Sequence, residues 1–508
     1  MEAYPEIALL KSPAVRQLAE FMRQHHQAWA QSTPDLETFE RDLHTHVLAL
    51  EREILADELA RYDLDVEAVR VNGKVCPQVL TVSEDYLTTA GVVKIERHVY
   101  RPPGHNTRHV CPLEMRAGIV EGFFTPAAAR QAAYVVAHLP PATGADLFGE
   151  LGGMQPSPSS LERLPKHLSA RWEAHREAWE AHLRTLESVP PEAVTLAVSL
   201  DGVLAPMRHP ARVESETPAE AKQPKGPKGY QEVGCGAVSL YDAEGERLQT
   251  IRYGRMPESH KVTLSQQLQA ECQAILAVQP HLRVVKLSDG ARHNWKLLSA
   301  LDLGLPADQV DSWDIVDFYH ACDHLQHATA VIWGEFSPKG RAEFERLKTL
   351  LKEADDGADV IIRALRYRIT QARGSKRDQL RKELTRFAFR NQRPRMNYPS
   401  YVRAHLPIAS GVVEATCKTL VTQRLKQSGM RWTIPGGQAI LTLRSLIQSH
   451  RWPHGWHLLR HSYQQVVEIV STRQPPGTVS EQPLGDEHCQ QPVKRDAARP
   501  YFTLPLAV

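Results

Sequence analysis

The sequence lacks any uninterrupted apolar stretch near twenty residues, which excludes the kind of helical span that a hydrocarbon core of ~30 Å requires. It opens Met1-Glu-Ala-Tyr-Pro-Glu, without the basic-then-apolar plan of a secretory leader. Its seven cysteines stand singly, an odd number with no C-x-x-C pair. Scattered thiols fit a reducing cytoplasm better than a disulfide framework. Net charge is also scarce, only +2 over 508 residues of which 42% are apolar. A soluble cytoplasmic chain of roughly three globular domains, with no membrane contact, is the expectation.

The small net charge conceals a segregation. Residues 363–460 carry twenty Lys and Arg against three acids, a local charge of +17, so the remainder carries −15. From Lys418 to Arg460 there is no acid at all. Such a basic stripe is the electrostatic footprint of a polyanion-binding surface. Tyr367, Phe387, Phe389, Tyr398 and Tyr401 are interleaved with the charges, as rings that stack on unpaired bases or pack in a core.

Hydrophobic periodicity divides the chain. Residues 8–65 read as mostly helical, with Leu43, Val47, Leu50 and Ile54 on one face, and 92–100 alternates as a strand. Thr125-Pro126 opens an Ala-rich helix that ends at Pro140-Pro141. A short helix over 144–151 stops at Gly152-Gly153, and Ser157-Pro158 opens a third over 158–184, which Pro165 should kink or split. Helix, Gly-containing turn and helix is the plan of a helix-turn-helix, which would turn Ser159, Ser160, Arg163 and Lys166 toward DNA. Strands are expected at 194–200, 233–241, 247–254, 283–288 and 312–316, with helices at 263–277, 292–301 and 318–334. Three sequential strands followed by alternating helices and strands make a mixed sheet of ribonuclease-H-like plan. The Pro- and Lys-rich stretch from Ala205 to Gly229 reads as an inserted loop, 474–508 as a flexible Pro- and Gln-rich tail.

Three acids occupy the chemically informative positions. Asp201 ends the apolar run 194–200, Asp289 ends 282–288, and Glu414 enters a helix just after Ser410-Gly411. Taken singly, each Asp-Gly fits a tight turn and Glu414 fits a residue complementing a helix dipole. Together, two strand ends and one helix can bring three carboxylates to a point. Carboxylate oxygens suit Mg²⁺ or Mn²⁺, and two such ions ~3.5–4 Å apart serve in-line displacement at phosphorus. The residues therefore point to a polynucleotidyl transferase.

Ser199-Leu-Asp-Gly202, Ser288-Asp-Gly-Ala291, Asp317-Phe-Tyr-His320 with Asp323-His-Leu325, Ser410-Gly-Val-Val-Glu-Ala-Thr-Cys-Lys418 and Gln423-Arg-Leu-Lys-Gln-Ser-Gly-Met-Arg-Trp432 resemble the motifs of bacterial insertion-sequence transposases of the ISKra type, distant relatives of the Mutator-like DDE superfamily. The likeness runs over about residues 90–455, and 410–432 is its most specific part. It implies a ribonuclease-H-like catalytic core with Asp201, Asp289 and Glu414 as a two-metal acidic triad, interrupted by a helical insertion. The implied partners are double-stranded DNA at the terminal inverted repeats and at the target, with a dimer or larger assembly when ends are paired and a nucleoid association in the cell. His320, in the D-x-x-H element, is implied to lie near the scissile phosphate. The expected organisation is 1–90 helical, 91–190 helix-turn-helix, 191–335 with 404–460 catalytic, and 336–403 a basic helical insertion.

Arg163, Lys166, Lys418, Arg424, Lys426, Arg431 and Trp432 complete the expected DNA-binding set. Lys418 stands one turn beyond Glu414, where it could hold that acid or grip a phosphate. His293, Asn294 and Trp295 follow Asp289 and could line the same cleft. Family members often carry closely spaced cysteines after the strand at 92–100, but 100–111 holds only Cys111, too few for a zinc ribbon. His320, His324 and His327 recur at helical spacing, yet no H-E-x-x-H glutamate accompanies them and only Cys322 is near. The rival class is a catalytically silent, transposase-derived DNA-binding protein; a metal nuclease without strand transfer is the rival among enzymes.

Overall fold

The computed structural model describes residues 12–104, 108–208, 229–387 and 393–470. Most of the Ala205–Gly229 loop, Phe389 and the 474–508 tail fall outside the described residues. No helix among the described residues is long and apolar enough to cross a membrane.

Two helices, Pro13–Trp29 and Leu36–Ala60, begin the described chain. Ser12 and Asp35 cap them by accepting from the backbone N–H of Val15 and Thr38, which satisfies donors that the first turn leaves unpaired. The first 90 residues are not helical throughout, however. Strands β1 (Ala68–Val71) and β2 (Lys74–Thr88) lie within them, and with β3 (Gly91–Tyr100) and the late β9 (Glu468–Ile469) they make a four-stranded sheet ordered β3-β2-β1-β9. Side chains along much of β2 are exposed, so it shows none of the apolar alternation by which a half-buried strand is recognised.

Helices Pro126–His138, Pro141–Leu151 and Pro158–Leu186 follow. Leu161, Leu164, Leu168 and Trp172 recur at helical spacing and meet Ala132, Val136, Leu443, Leu446, Trp452 and Trp456 in one apolar cluster. The long helix runs on past Pro165 without splitting. The packing of Leu161, Leu164 and Leu168 offsets the hydrogen bond that the proline cannot donate. Ser160 is buried and so cannot face DNA.

At the centre stands a mixed five-stranded sheet ordered β6-β5-β4-β7-β8: β4 (Thr195–Pro206), β5 (Tyr230–Tyr241), β6 (Arg247–Arg255), β7 (Arg283–Ser288) and β8 (Ser312–Val316). The first three pair antiparallel, and β4, β7 and β8 pair parallel. The two-residue period of a strand shows on β5. A Cβ on Gly234 or Gly236 would press on Leu264 or Leu268 of the Val262–Val278 helix, whereas Val233 and Cys235 join Val413, Cys417, Leu420, Leu425 and Leu441 on the opposite face. The sheet is thus covered on both sides, with the Gly411–Thr416 and Ile434–Gln448 helices on the second.

One buried ionic network ties these layers. The Arg451 guanidinium donates to Glu271 Oε1 and Oε2 at 2.9 Å each, to Glu187 at 2.5 and 2.6 Å, and to the Tyr253 hydroxyl at 2.8 Å. Glu271 and Arg451 side chains are 2% and 4% exposed.

Candidate functional site

Asp201 sits inside β4 and does not end it, because pairing with β5 continues through Asp201↔Cys235 to Pro206↔Tyr230. On the other side β4 is parallel to β7, in the register Ser199↔Leu287. Asp201 and Asp289 are each two residues beyond that pair, on backbones spaced ~4.8 Å apart. The Ser288 hydroxyl donates to Leu200 O at 2.9 Å and fixes the alignment at this point. Burial, reinforced by the charge of Asp289, raises the Asp201 carboxyl above its ordinary value.

Glu414 lies in the first turn of the Gly411–Thr416 helix and is exposed. Ser410 Oγ donates to its Oε1 at 2.9 Å. Lys418 is also exposed and makes no ion pair with Glu414 among the described residues. One turn beyond Glu414, Cys417 Sγ lies 3.6 Å from Asp201 Oδ2, which brings this helical stretch against the middle of β4. Residues 417–422 then form a π turn, a rarity that concentrates at functional sites.

Asp317 is fully buried and joins two elements. Its carboxylate accepts from the backbone N–H of Ser410 and, at 2.5 Å, from that of His320. The D-x-x-H aspartate is thereby a cap on the Phe318–Trp333 helix and a clamp on the residue before Gly411, four positions ahead of Glu414. The His320 ring packs edge-on to that of His324 at 4.9 Å.

The Asp289 side chain is set by its followers. Asn294 Nδ2 donates to Asp289 Oδ1 at 3.1 Å, and the Ala291 N–H donates to the same oxygen. Trp295 is buried, donates to Asp289 O at 2.7 Å and carries the Arg395 guanidinium 3.9 Å from its ring centroid. Two further residues belong here that sequence pattern alone does not single out. Lys261 Nζ reaches Glu232 at 2.6 Å and Asn294 Oδ1 at 3.1 Å, and hydrogen bonding from His293 and Lys261 lowers the Glu232 carboxyl to about 2. A Cβ on Gly202 would meet the Glu232 carboxylate, so any larger residue there would displace Glu232 from Lys261. His260 and Lys261 both adopt positive φ, 54° and 51°, a strained conformation for non-glycine residues that commonly accompanies functional sites.

The basic residues divide. Lys418, Lys426 and Arg431 are exposed. Arg424 is not: it is 1% exposed, donates to Val136 O, and burial together with Arg444 lowers it to about 10, still protonated at neutral pH. The expected surface contact at Arg424 is therefore corrected to an interior residue, placed there by Leu420, Val421 and Leu425 on the same helical stretch. Trp432 is half-buried, donates to Leu425 O, and bridges to Met207 just past β4. Lys166, Arg208, Arg431 and Trp432 line one open cleft of about 400 Å³, so the helix at 158–186 and the 423–432 block share a surface. Arg163 is exposed beside Glu121. Tyr367 is exposed, whereas Phe387, Tyr398 and Tyr401 are buried and are core residues, unable to stack on bases.

The acids have the donor chemistry of a cation site. Asp201 Oδ1 and Asp289 Oδ1 are held by backbone N–H groups and Glu414 Oε1 by Ser410. Among the described residues no hydrogen bond engages Asp289 Oδ2 or Glu414 Oε2. The three do not close to within 4.8 Å of one another; among the described residues the cluster that does is His324, His327 and Glu383.

The raised Asp201 carboxyl has a stability consequence. A carboxyl whose folded value exceeds its unfolded one favours folding only at low pH, and that contribution is lost as pH rises through the folded value. Asp201→Asn is therefore expected to raise the Tm of the metal-free protein at neutral pH, with the gain shrinking as pH falls through the raised folded value and gone below the ordinary carboxylate value of about 4. An unchanged or lower Tm at neutral pH contradicts a carboxylate disfavoured by burial and by Asp289.

No family model matches the chain, and no curated protein matches it. Among solved structures it is similar to the Drosophila P element transposase strand transfer complex, at 10% identity and a TM-score of 0.23, over 68% of this chain and 83% of that one.

Proposed function

We propose that this chain is a DDE-type DNA transposase of the insertion-sequence class, with a ribonuclease-H-like core that cleaves the terminal inverted repeats of its element and joins the freed ends to target DNA. The carrying observation is the placement of Asp201 and Asp289 at matching positions on parallel neighbours, with the Glu414 helix brought against Asp201 through Cys417. Asp201, Asp289 and Glu414 are the residues that would hold two Mg²⁺ or Mn²⁺ ions, which when bound activate an attacking oxygen and stabilise a leaving one.

The protein's own share is orientation and charge. Asn294 and Ser410 fix the carboxylates of Asp289 and Glu414, Trp295 holds the Asp289 backbone carbonyl, and Asp317 locks the start of the third element. Lys418, Lys426 and Arg431 offer exposed cations to the phosphate backbone. Hydrolysis at the element's end and attack by the resulting 3′-hydroxyl are both in-line phosphoryl transfers, so one set of side chains serves both. Two ends handled together call for at least a dimer in the reacting complex. His320 is proposed to face the scissile phosphate.

The test incubates the purified chain with Mg²⁺ and supercoiled DNA carrying the inverted repeats that flank its reading frame. Nicks that expose a 3′-hydroxyl at the repeat boundary support the reading. Repeat-specific binding without Mg²⁺-dependent nicking replaces it with a silent DNA-binding descendant. In binding titrations on the same DNA, replacing Lys418, Lys426 and Arg431 with alanine is expected to flatten the log-log salt dependence by roughly 0.9 for each phosphate no longer neutralised. A slope identical to that of the unmodified protein would remove these residues from the interface.

A further inference from the structure

His320, His324 and His327 fall at i, i+4 and i+7 on the Phe318–Trp333 helix, a single face by the helical period. Beyond Asp317 and Asp323 on the same stretch, the fold brings them a carboxylate from a second helix. The Gly374–Phe387 helix packs on this one and presents Glu383, whose Oε2 lies 3.1 Å from His324 Nδ1 and 3.9 Å from His327 Nδ1. All three ligand atoms lie within 4.8 Å of one another. The other oxygen of Glu383 accepts from Arg386 Nη1 at 3.1 Å, which leaves one carboxylate oxygen for the two imidazoles. The side chains of His324 and Glu383 are 13% and 10% exposed, that of His327 65%, giving a closed wall and an open mouth.

We propose that His324, His327 and Glu383 form a second, transition-metal site, taking Zn²⁺, that clasps the Gly374–Phe387 helix to the Phe318–Trp333 helix. Two imidazoles and a carboxylate, with a fourth position open to water, are a Zn²⁺ donor set. Nitrogen ligands separate it from the all-oxygen acidic site, which suits Mg²⁺. Arg386 holds the free oxygen of Glu383 and acts as the outer partner that orients a ligating carboxylate. The clasp would anchor a strongly basic helix to the element whose cap, Asp317, clamps Ser410 beside the Glu414 helix. It stands independently of any catalytic activity.

The test uses the full-length chain stripped of metal and titrated with Zn²⁺ against a chromophoric chelator, without DNA. One tightly held Zn²⁺ per chain is expected, with a rise in Tm on binding. His327→Ala, at an exposed ring that the core does not need, and Glu383→Gln should each weaken binding by more than the ~10–100-fold that loss of an outer partner costs. Asp201→Asn should leave Zn²⁺ affinity unchanged. Co²⁺ substitution should give ligand-field bands without thiolate charge transfer. Absence of stoichiometric Zn²⁺ uptake, wild-type affinity in both ligand variants, or a thiolate band from Cys322 overturns the assignment.

Discussion

Asp201→Asn, Asp289→Asn and Glu414→Gln are each expected to reduce Mg²⁺-dependent nicking at the element's ends by about 10²–10⁴-fold while leaving repeat binding intact. Each exchange removes one ligand charge at nearly constant volume. Loss of metal-borne stabilisation worth several kcal/mol in the transition state corresponds to that range. The acid at position 201 adds a discriminating feature: its asparagine variant should be inactive yet more thermostable without metal, because the carboxylate is disfavoured by burial and by Asp289. A variant with less activity and less stability would have lost its fold. One retaining near-normal nicking would remove that residue from the site. Activity at repeat ends and binding to them have to be measured on the same preparation.

The second large effect concerns the scaffold. Arg451→Leu removes the main counter-charge of Glu271, whose side chain is 2% exposed, and leaves it with Arg184 at 3.1 Å and the Tyr253 hydroxyl at 2.5 Å. Breaking one side of a buried pair costs about 3–5 kcal/mol, since the orphaned charge stays desolvated. Urea unfolding should show that loss, with part of it recovered in the double variant Arg451→Leu, Glu271→Leu, where neither charge is buried alone. A loss below about 1 kcal/mol would mean that Glu271 escapes to solvent or takes up a proton. Because this network joins the central sheet through Tyr253 to the Val262–Val278 helix through Glu271, its disruption should weaken cleavage and binding together, unlike the acid variants.

Local pattern carries the central sheet well. The strand at 283–288 falls where its apolar run places it, since strands covered on both faces read as continuous hydrophobic segments, and the edge strand at 312–316 matches its expected bounds although only Ile315 and Val316 are buried. The run before Asp201 stops at Leu200, but the strand does not. Its second half is held by pairing with β5, which no window of the sequence contains. β1 and β2 escape local pattern for a related reason: much of β2 is exposed and stabilised by its neighbours.

The candidate site is legible where chemistry and chain are local and illegible where the fold supplies the partner. Asp289, Asn294 and Trp295 lie within two turns of each other, so their grouping can be seen. Lys261 and Glu232 lie on different elements, 29 positions apart, and meet only once the turn before the Val262–Val278 helix packs over β5. Glu383 lies 59 positions from His324, which is why three histidines on a helix look incomplete as a metal site. Charge counting also misleads at Arg424, and ring counting at Tyr398 and Tyr401. A guanidinium can be buried on backbone carbonyls, and the Tyr398 hydroxyl is satisfied by donating to Val316 O at 3.0 Å, so neither composition nor spacing separates them from surface residues.

The central claim is that Asp201, Asp289 and Glu414 hold the cations of a phosphoryl-transfer site. Its most direct test is the anomalous scattering of Mn²⁺ in crystals of the chain bound to a repeat-end duplex. The account predicts two peaks ~3.5–4 Å apart, both within ligand distance of the aspartate carboxylates and at least one reached by Glu414. Peaks elsewhere, or none beside these acids with Glu414 turned to solvent, would contradict it.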